Sequence, residues 1–249
     1  MVGDSGGTKL EKVAAELDRP SALEGWSRLM VLAHLRYVAS AMRRMTEGAL
    51  AGRSEPMYPG GRANLRPHTI VAAAGESAVA LVASLHAETA ALERLWHTLS
   101  LDDWRRRIDE PDHGPIPLSQ LLVLRLTETE VHGTDLGFAA VDTWDERFVE
   151  VVLPLRLAWL DRSRHRPDAD LSVAGSWLLS DGRANWLVVA DGADVHAYIA
   201  GADTGSDCRL TASRRDLLAL LLGRPPDGSI ERSGNLPLAD AFKRAFPGP

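Results

Sequence analysis

Apolar side chains recur every three or four positions between residues 26 and 50: Trp26, Met30, Val38, Met42 and Met45, with Leu29, Leu32 and Leu35 nearby. This is the stripe of an amphipathic helix. The segment contains no proline and only one glycine, Gly48. Residues 52–67 (GRSEPMYPGGRANLRP) are rich in Gly and Pro and read as a loop. A long helix is predicted over residues 69–99, another over 118–137 and a third over 146–162. A polar segment ending in a loop at 110–117 separates the first two.

Past Arg166 and Pro167 the pattern changes. Residues 171–179 and 184–190 are short apolar runs, and 194–200 alternates in its middle. Ser180-Asp-Gly182 and Asp191-Gly192 punctuate them, which predicts a meander of antiparallel strands joined by tight turns. Residues 208–211 read as one more strand. Residues 214–222, ended by Gly223, and 238–246 read as short helices. The pattern as a whole predicts an α+β protein of two domains: a helical one over 1–162 and a small α+β one over 168–249. No internal repeat is visible.

Composition bounds the chemistry. The 249 residues are 45% hydrophobic and 25% charged, enough to bury a sizeable core without covalent staples. The lone Cys208 excludes an internal disulfide and any multi-cysteine metal site, and fits a reducing cytoplasm. A metal, if held, needs His and carboxylate ligands. The formal net charge of −6 argues against nucleic acid or an anionic membrane as the main partner. The longest apolar runs fall far short of a bilayer span, and residues 1–9 do not read as a secretory signal.

His34 falls on the apolar stripe of its helix, in the series Trp26, Met30, His34, Val38, Met42. It is either a core histidine satisfied by a neighbouring group or a metal ligand. Glu128 and His132 lie four apart in a helical stretch, so they share one face, as does Arg125. They are either an exposed surface pair or two ligands for Zn²⁺ or a similar divalent metal. Asp135, three after His132, is placed to orient it from behind. Facing helices can aim His34, Glu128 and His132 inward together, and three protein ligands leave an open coordination position. No phosphate loop, nucleophile elbow or dinucleotide fingerprint is present.

At these residues the chain resembles the mycothiol-dependent maleylpyruvate isomerase family, which belongs to the DinB-like metalloenzymes. PSALEGWSR over residues 20–28 with VLAH over 31–34 is similar to the family's opening motif. EPMY over 55–58 is similar to its loop motif. LRLTETEVHGTDLG over 124–137 is similar to its E-x-x-x-H-x-x-D-L-G motif. Residues 185–190 and 217–223 resemble its small C-terminal domain of sterol-carrier-like α+β type.

The resemblance implies a DinB-like four-helix bundle and a divalent metal, zinc in most members, on His34, Glu128 and His132. It implies the low-molecular-weight thiol mycothiol as cosubstrate; Arg125 and Asp135, placed beside the donor set by spacing, are assigned to the cofactor site. It implies an enzyme whose thiolate adds to the double bond of a maleyl-type diacid, in cis–trans isomerisation. Related members transfer the thiol to other electrophiles or process thiol conjugates.

Two departures qualify the resemblance. The family carries an arginine just after its M-Y motif, and Asn64 stands here, so Arg62 or Arg66 takes the role of carboxylate clamp, with Tyr58 lining the pocket. The first helix, confined to residues 9–17, is shorter than the family's. The expected state is a cytoplasmic monomer or homodimer acting on a small molecule. A non-enzymatic metal- or ligand-binding protein is the competing class, and a purely structural use of the three polar residues is a third.

Overall fold

A computed structural model describes residues 15–110 and 114–248, without the side chains of Arg62, Asn64, Leu65, Arg66, Ala74 and Glu110. The protein is α+β, with helices and two sheets. It gathers into two compact units that divide between Ala139 and Ala140.

The first unit is built on α1 (Arg28–Leu50). The Ser27 hydroxyl caps it, accepting from the Met30 amide at 3.2 Å. Most of α1 is buried, because α2 (Arg62–Ala74), α3 (Ala78–His97) and α5 (Gln120–Asp135) all pack on it. Two apolar clusters follow one another along α1. Leu29, Val31, Leu32, Ala33 and Leu35 pack with Leu81 and Leu136. Val38, Ala39, Met42 and Met45 pack with Leu92, Leu118 and Leu121.

The predicted helix over 69–99 is two helices. α2 ends at Gly75, and Ser77 starts α3 by accepting from the Ala80 amide at 3.2 Å. α2 also begins earlier than predicted, at Arg62, inside the Gly/Pro-rich segment and with Pro67 within it. The expected short first helix lies mostly outside the described residues, of which 15–17 are helical. After the short α4 (Leu101–Arg105) comes a hairpin that the pattern missed: β1 (Arg107–Glu110) and β2 (Gly114–Pro117), paired antiparallel. Its apolar signal is one residue per strand. Ile108 and Ile116 lie opposite each other and are both buried.

The second unit carries a five-stranded sheet in the order β5-β4-β3-β6-β7. The strands are β3 (Gly175–Ser180), β4 (Asn185–Asp191), β5 (Asp194–Ala200), β6 (Cys208–Thr211) and β7 (Glu231–Gly234). The first three form the predicted meander. β6 instead joins β3 in parallel, with Trp177 opposite Cys208, and β7, a fully exposed polar strand, was not predicted.

The predicted helix over 146–162 breaks at Trp159 into α6 (Glu146–Ala158) and α7 (Leu160–Arg164). The remaining helices are α8 (Arg214–Leu221), α9 (Leu236–Asp240) and α10 (Phe242–Ala245). The composition change near 163–168 marks where strands begin. The units divide earlier, because α6 packs on α8 and β5, and α7 on β5.

Arg164 is fully buried at the centre of this unit. Its guanidinium donates to the carbonyls of Gly192 (2.8 Å), Asp170 (2.7 Å), Ala245 (3.2 Å), Leu171 (3.0 Å) and Val173 (2.7 Å). One side chain thus ties a hairpin turn, the entry to β3 and the C-terminal helix together.

Cys208 is buried on β6, and its thiol is pushed up to about 11, first by burial and then by the charge of Asp207. A thiol held this high carries almost no thiolate at neutral pH. Iodoacetamide at pH 7.5 is therefore expected to leave Cys208 unmodified in the folded protein and to label it readily in guanidinium. Prompt labelling of the folded chain would contradict this. No helix among the described residues is long and apolar enough to cross a membrane.

Candidate metal centre

His34 lies where the two apolar clusters of α1 meet, 3% exposed. Glu128 and His132, one turn apart on α5, face it across the helix–helix contact. A single oxygen, Glu128 Oε2, lies 2.9 Å from His34 Nε2 and 3.1 Å from His132 Nε2. The two imidazoles meet edge to face, centroids 4.9 Å apart, and Trp26 packs edge-on against His34 at 6.0 Å. One ligand atom from each of the three residues falls within 4.8 Å of the others. His86 and His97 are exposed on α3, and neither joins this group.

Behind His132, the buried Asp135 carboxylate accepts from Nδ1 at 2.7 Å. This bond places the Nδ1 proton on the Asp135 side and leaves Nε2 to face Glu128. The backbone carbonyl of Asp135 also accepts from the Ala22 amide at 2.8 Å, which ties the segment before α1 to the end of α5.

Arg125, one turn before Glu128, donates to Thr89 Oγ1 on α3 at 3.1 Å and to the Leu35 carbonyl on α1 at 3.4 Å. It thereby joins the three helices around the site. Burial pulls its pKa down, against the opposing charges of Glu128 and Glu93.

The electrostatics are those of a tight buried set. Burial acts to raise the Glu128 pKa, but the charge of His34 and the hydrogen bonds of His132 and His34 outweigh it, so the carboxyl is held well below its ordinary range. Burial acts to lower the His132 pKa, and the hydrogen bonds to Asp135 and Glu128 reverse it, so the imidazole is raised. Two imidazole nitrogens converging on one ionised oxygen is the donor set of a Zn²⁺-like cation. The carboxylate behind a ligating imidazole is the usual outer support of such a site.

Asp135→Asn is therefore expected to weaken divalent-metal affinity by about 10- to 100-fold, the range for a support one shell out. A competition titration against a chelating dye measures it, and unchanged affinity would remove Asp135 from the site.

Tyr58 is buried beside Met57 in the second apolar cluster and stacks on Tyr37, with centroids 5.2 Å apart and planes at 17°. Arg62 and Arg66 lie in the first turns of α2, and their side chains fall outside the described residues. Sequence reasoning missed Thr89 as a neighbour of the site, since it had no signal beyond lying on a helix, while Trp26 lies on the stripe that carries His34 and packs against it.

Two buried imidazoles and a half-buried carboxylate between two helices, with a second carboxylate behind, make a group that could hold a metal ion. The chain belongs to the mycothiol maleylpyruvate isomerase N-terminal domain family, whose sequence profile matches residues 4–137, more than half of it. Among solved structures it is similar to the crystal structure of the mycothiol-dependent maleylpyruvate isomerase. That match has 22% identity and a TM-score of 0.70, and covers 91% of this chain and 86% of that one. It is also similar to a mutant of that enzyme with a histidine replaced by alanine, at 21% identity, the same TM-score and the same coverage. At these identities the likeness establishes a shared fold. No curated protein sequence matches the chain.

Proposed function

We propose that the protein is a metal- and mycothiol-dependent enzyme in which a small-molecule thiolate adds to an electrophilic substrate, with cis–trans isomerisation of a maleylpyruvate-type diacid as the leading reaction. The observation that carries this is the convergence of His34 and His132 Nε2 on Glu128 Oε2 within a chain of this family. The helices of the first unit would belong to the family's four-helix bundle, and the second unit would be its small C-terminal domain.

His34, Glu128 and His132 would hold a divalent ion such as zinc, which when bound supplies the positive charge that favours thiolate over a thiol of ordinary pKa near 8.5. Asp135 keeps His132 Nε2 directed at the site, and Arg125 holds the three helices in register. Arg62 or Arg66 is assigned to a substrate carboxylate, and Tyr58 to the pocket wall. In the isomerisation, sulfur adds to one alkene carbon as the π bond opens toward the neighbouring carbonyl. The former double bond rotates, and the C–S bond breaks to return the thiolate and the trans alkene.

Asn64, standing where the family carries its clamp arginine, favours a second reading. In it the same site transfers the thiol to another electrophile, without rotation and elimination.

The test follows maleylpyruvate absorbance with and without mycothiol, using zinc-loaded protein. Turnover that needs both thiol and metal is expected. Metal-dependent consumption of mycothiol with a different electrophile, but no isomerisation, selects S-transfer. Protein that binds no divalent metal and shows no thiol-dependent reaction removes both.

A further inference from the structure

Arg125 stands one turn before Glu128 on α5, a spacing that sets their side chains next to each other. Its guanidinium is half-buried and donates only to neutral oxygens, Thr89 Oγ1 at 3.1 Å and the Leu35 carbonyl at 3.4 Å, with no ion pair among the described residues. Two arginines of α1 differ from it: Arg36 is paired with Glu76 at 2.9 Å and Arg43 with Glu47 at 3.0 Å. The acids whose charge acts on Arg125 are Glu128 and Glu93. Neither neutralises it by contact, because Glu128 Oε2 is taken by both imidazoles and Glu93 is exposed on α3.

The donor set opens on the side of α5. The Glu128 side chain is 29% exposed, against 3% for His34 and 7% for His132. A molecule that approaches the three ligand atoms from solvent therefore arrives beside Glu128, and Arg125 lies one turn along with N–H donors to spare. Held by oxygens on two other helices, its guanidinium is preorganised, and its planar fork suits two-point recognition of a carboxylate.

We infer that Arg125 binds one carboxylate of an acidic electrophile beside the metal ligands, and so selects a dicarboxylate over an uncharged substrate. The inference rests on the thiol-addition reading of the site and deepens it. A diacid has two carboxylates; Arg125 takes the one nearer the donor set and leaves the other to Arg62 or Arg66. With Asn64 in place of the loop arginine, the charged anchor is then carried by a helix.

The test uses the zinc-loaded full chain without thiol, titrated calorimetrically with maleate against sodium chloride at matched ionic strength. Saturable maleate binding is expected. Arg125→Met should weaken it at least about tenfold, as for a lost charge-assisted pair, and leave zinc affinity within about threefold of wild type. Arg125→Lys keeps the charge, loses the fork and should recover only part of the binding. Thr89→Val removes a helix tie but no charge, and should leave maleate binding unchanged. No maleate binding beyond chloride, or equal binding by wild type and Arg125→Met, overturns the inference. So does an equal loss in Thr89→Val, which marks Arg125 as a helix tie. Should Arg125→Met not fold, Arg125→Lys decides, with a several-fold loss expected and no loss overturning the inference. Thiol-dependent turnover by a protein whose maleate binding ignores Arg125 removes this inference alone. Arg125-dependent maleate binding without thiol-dependent turnover supports the carboxylate site and removes the thiol reading alone.

Discussion

Replacing His34 by alanine is expected to lower divalent-metal affinity by more than about 100-fold, beyond the range for loss of a group one shell out. The reason lies in the donor set. His34 Nε2 and His132 Nε2 are brought by different helices to the same carboxylate oxygen, so removing His34 leaves two ligands, both from α5. Glu128→Gln removes the one negative ligand and should lower affinity comparably.

The measurement is a zinc competition titration, supported by the visible spectrum of the cobalt-loaded protein, which reports ligand geometry directly. His34→Phe separates this from a structural use of the three side chains. It fills the same space between the two apolar clusters and cannot ligate. If the wild-type protein takes up no divalent metal and His34→Phe leaves its stability unchanged, the metal centre is not there and the cluster is a buried hydrogen-bonded set.

The second large effect is in the other unit. Arg164→Met is expected to destabilise the protein by more than about 4 kcal/mol, because five carbonyl oxygens each lose a donor at once, with the Asp170 carbonyl keeping another, the Val173 amide, and an orphaned buried acceptor costs about 1–3 kcal/mol. Those carbonyls belong to Gly192, Asp170, Ala245, Leu171 and Val173, so the loss falls on the β4–β5 turn, the approach to β3 and the C-terminal helix together. Arg164→Lys should recover little. An ammonium keeps the charge but offers three donors from one point, where the guanidinium offers five across a plane. Guanidinium denaturation followed by circular dichroism measures the effect. A loss below about 1 kcal/mol would show that water can satisfy those carbonyls and that Arg164 is not the tie of this unit.

Much of the candidate metal centre was legible along the chain because helices repeat at a fixed period. Glu128, His132 and Asp135 share a face wherever their segment is helical, and the apolar stripe around His34 turns it inward. The same period failed where a single residue overrides it. Gly75 and the Ser77 cap divide one predicted helix into two, and Trp159 divides another. The β1–β2 hairpin and β7 escaped because β1 and β2 each bury a single isoleucine and β7 has no large apolar residue, so no alternation registers. Arg164 escaped because it stands in a run with Arg162 and Arg166 that looks like a solvated surface, and only the carbonyls gathered from distant segments show it to be interior.

By itself the sequence determined the helical first part, the strand-rich second part and the spacing of a three-residue donor set with its supporting carboxylate. These depend on local periodicity and on the chemistry of side chains a few positions apart. Tertiary structure alone decided that His34 and His132 meet on one oxygen of Glu128, that β6 runs parallel to β3, and that Arg164, one arginine of a basic run, is fully buried. Those facts depend on which segments distant along the chain come to lie together. Packing, not period, settles where a charge ends up and what it faces.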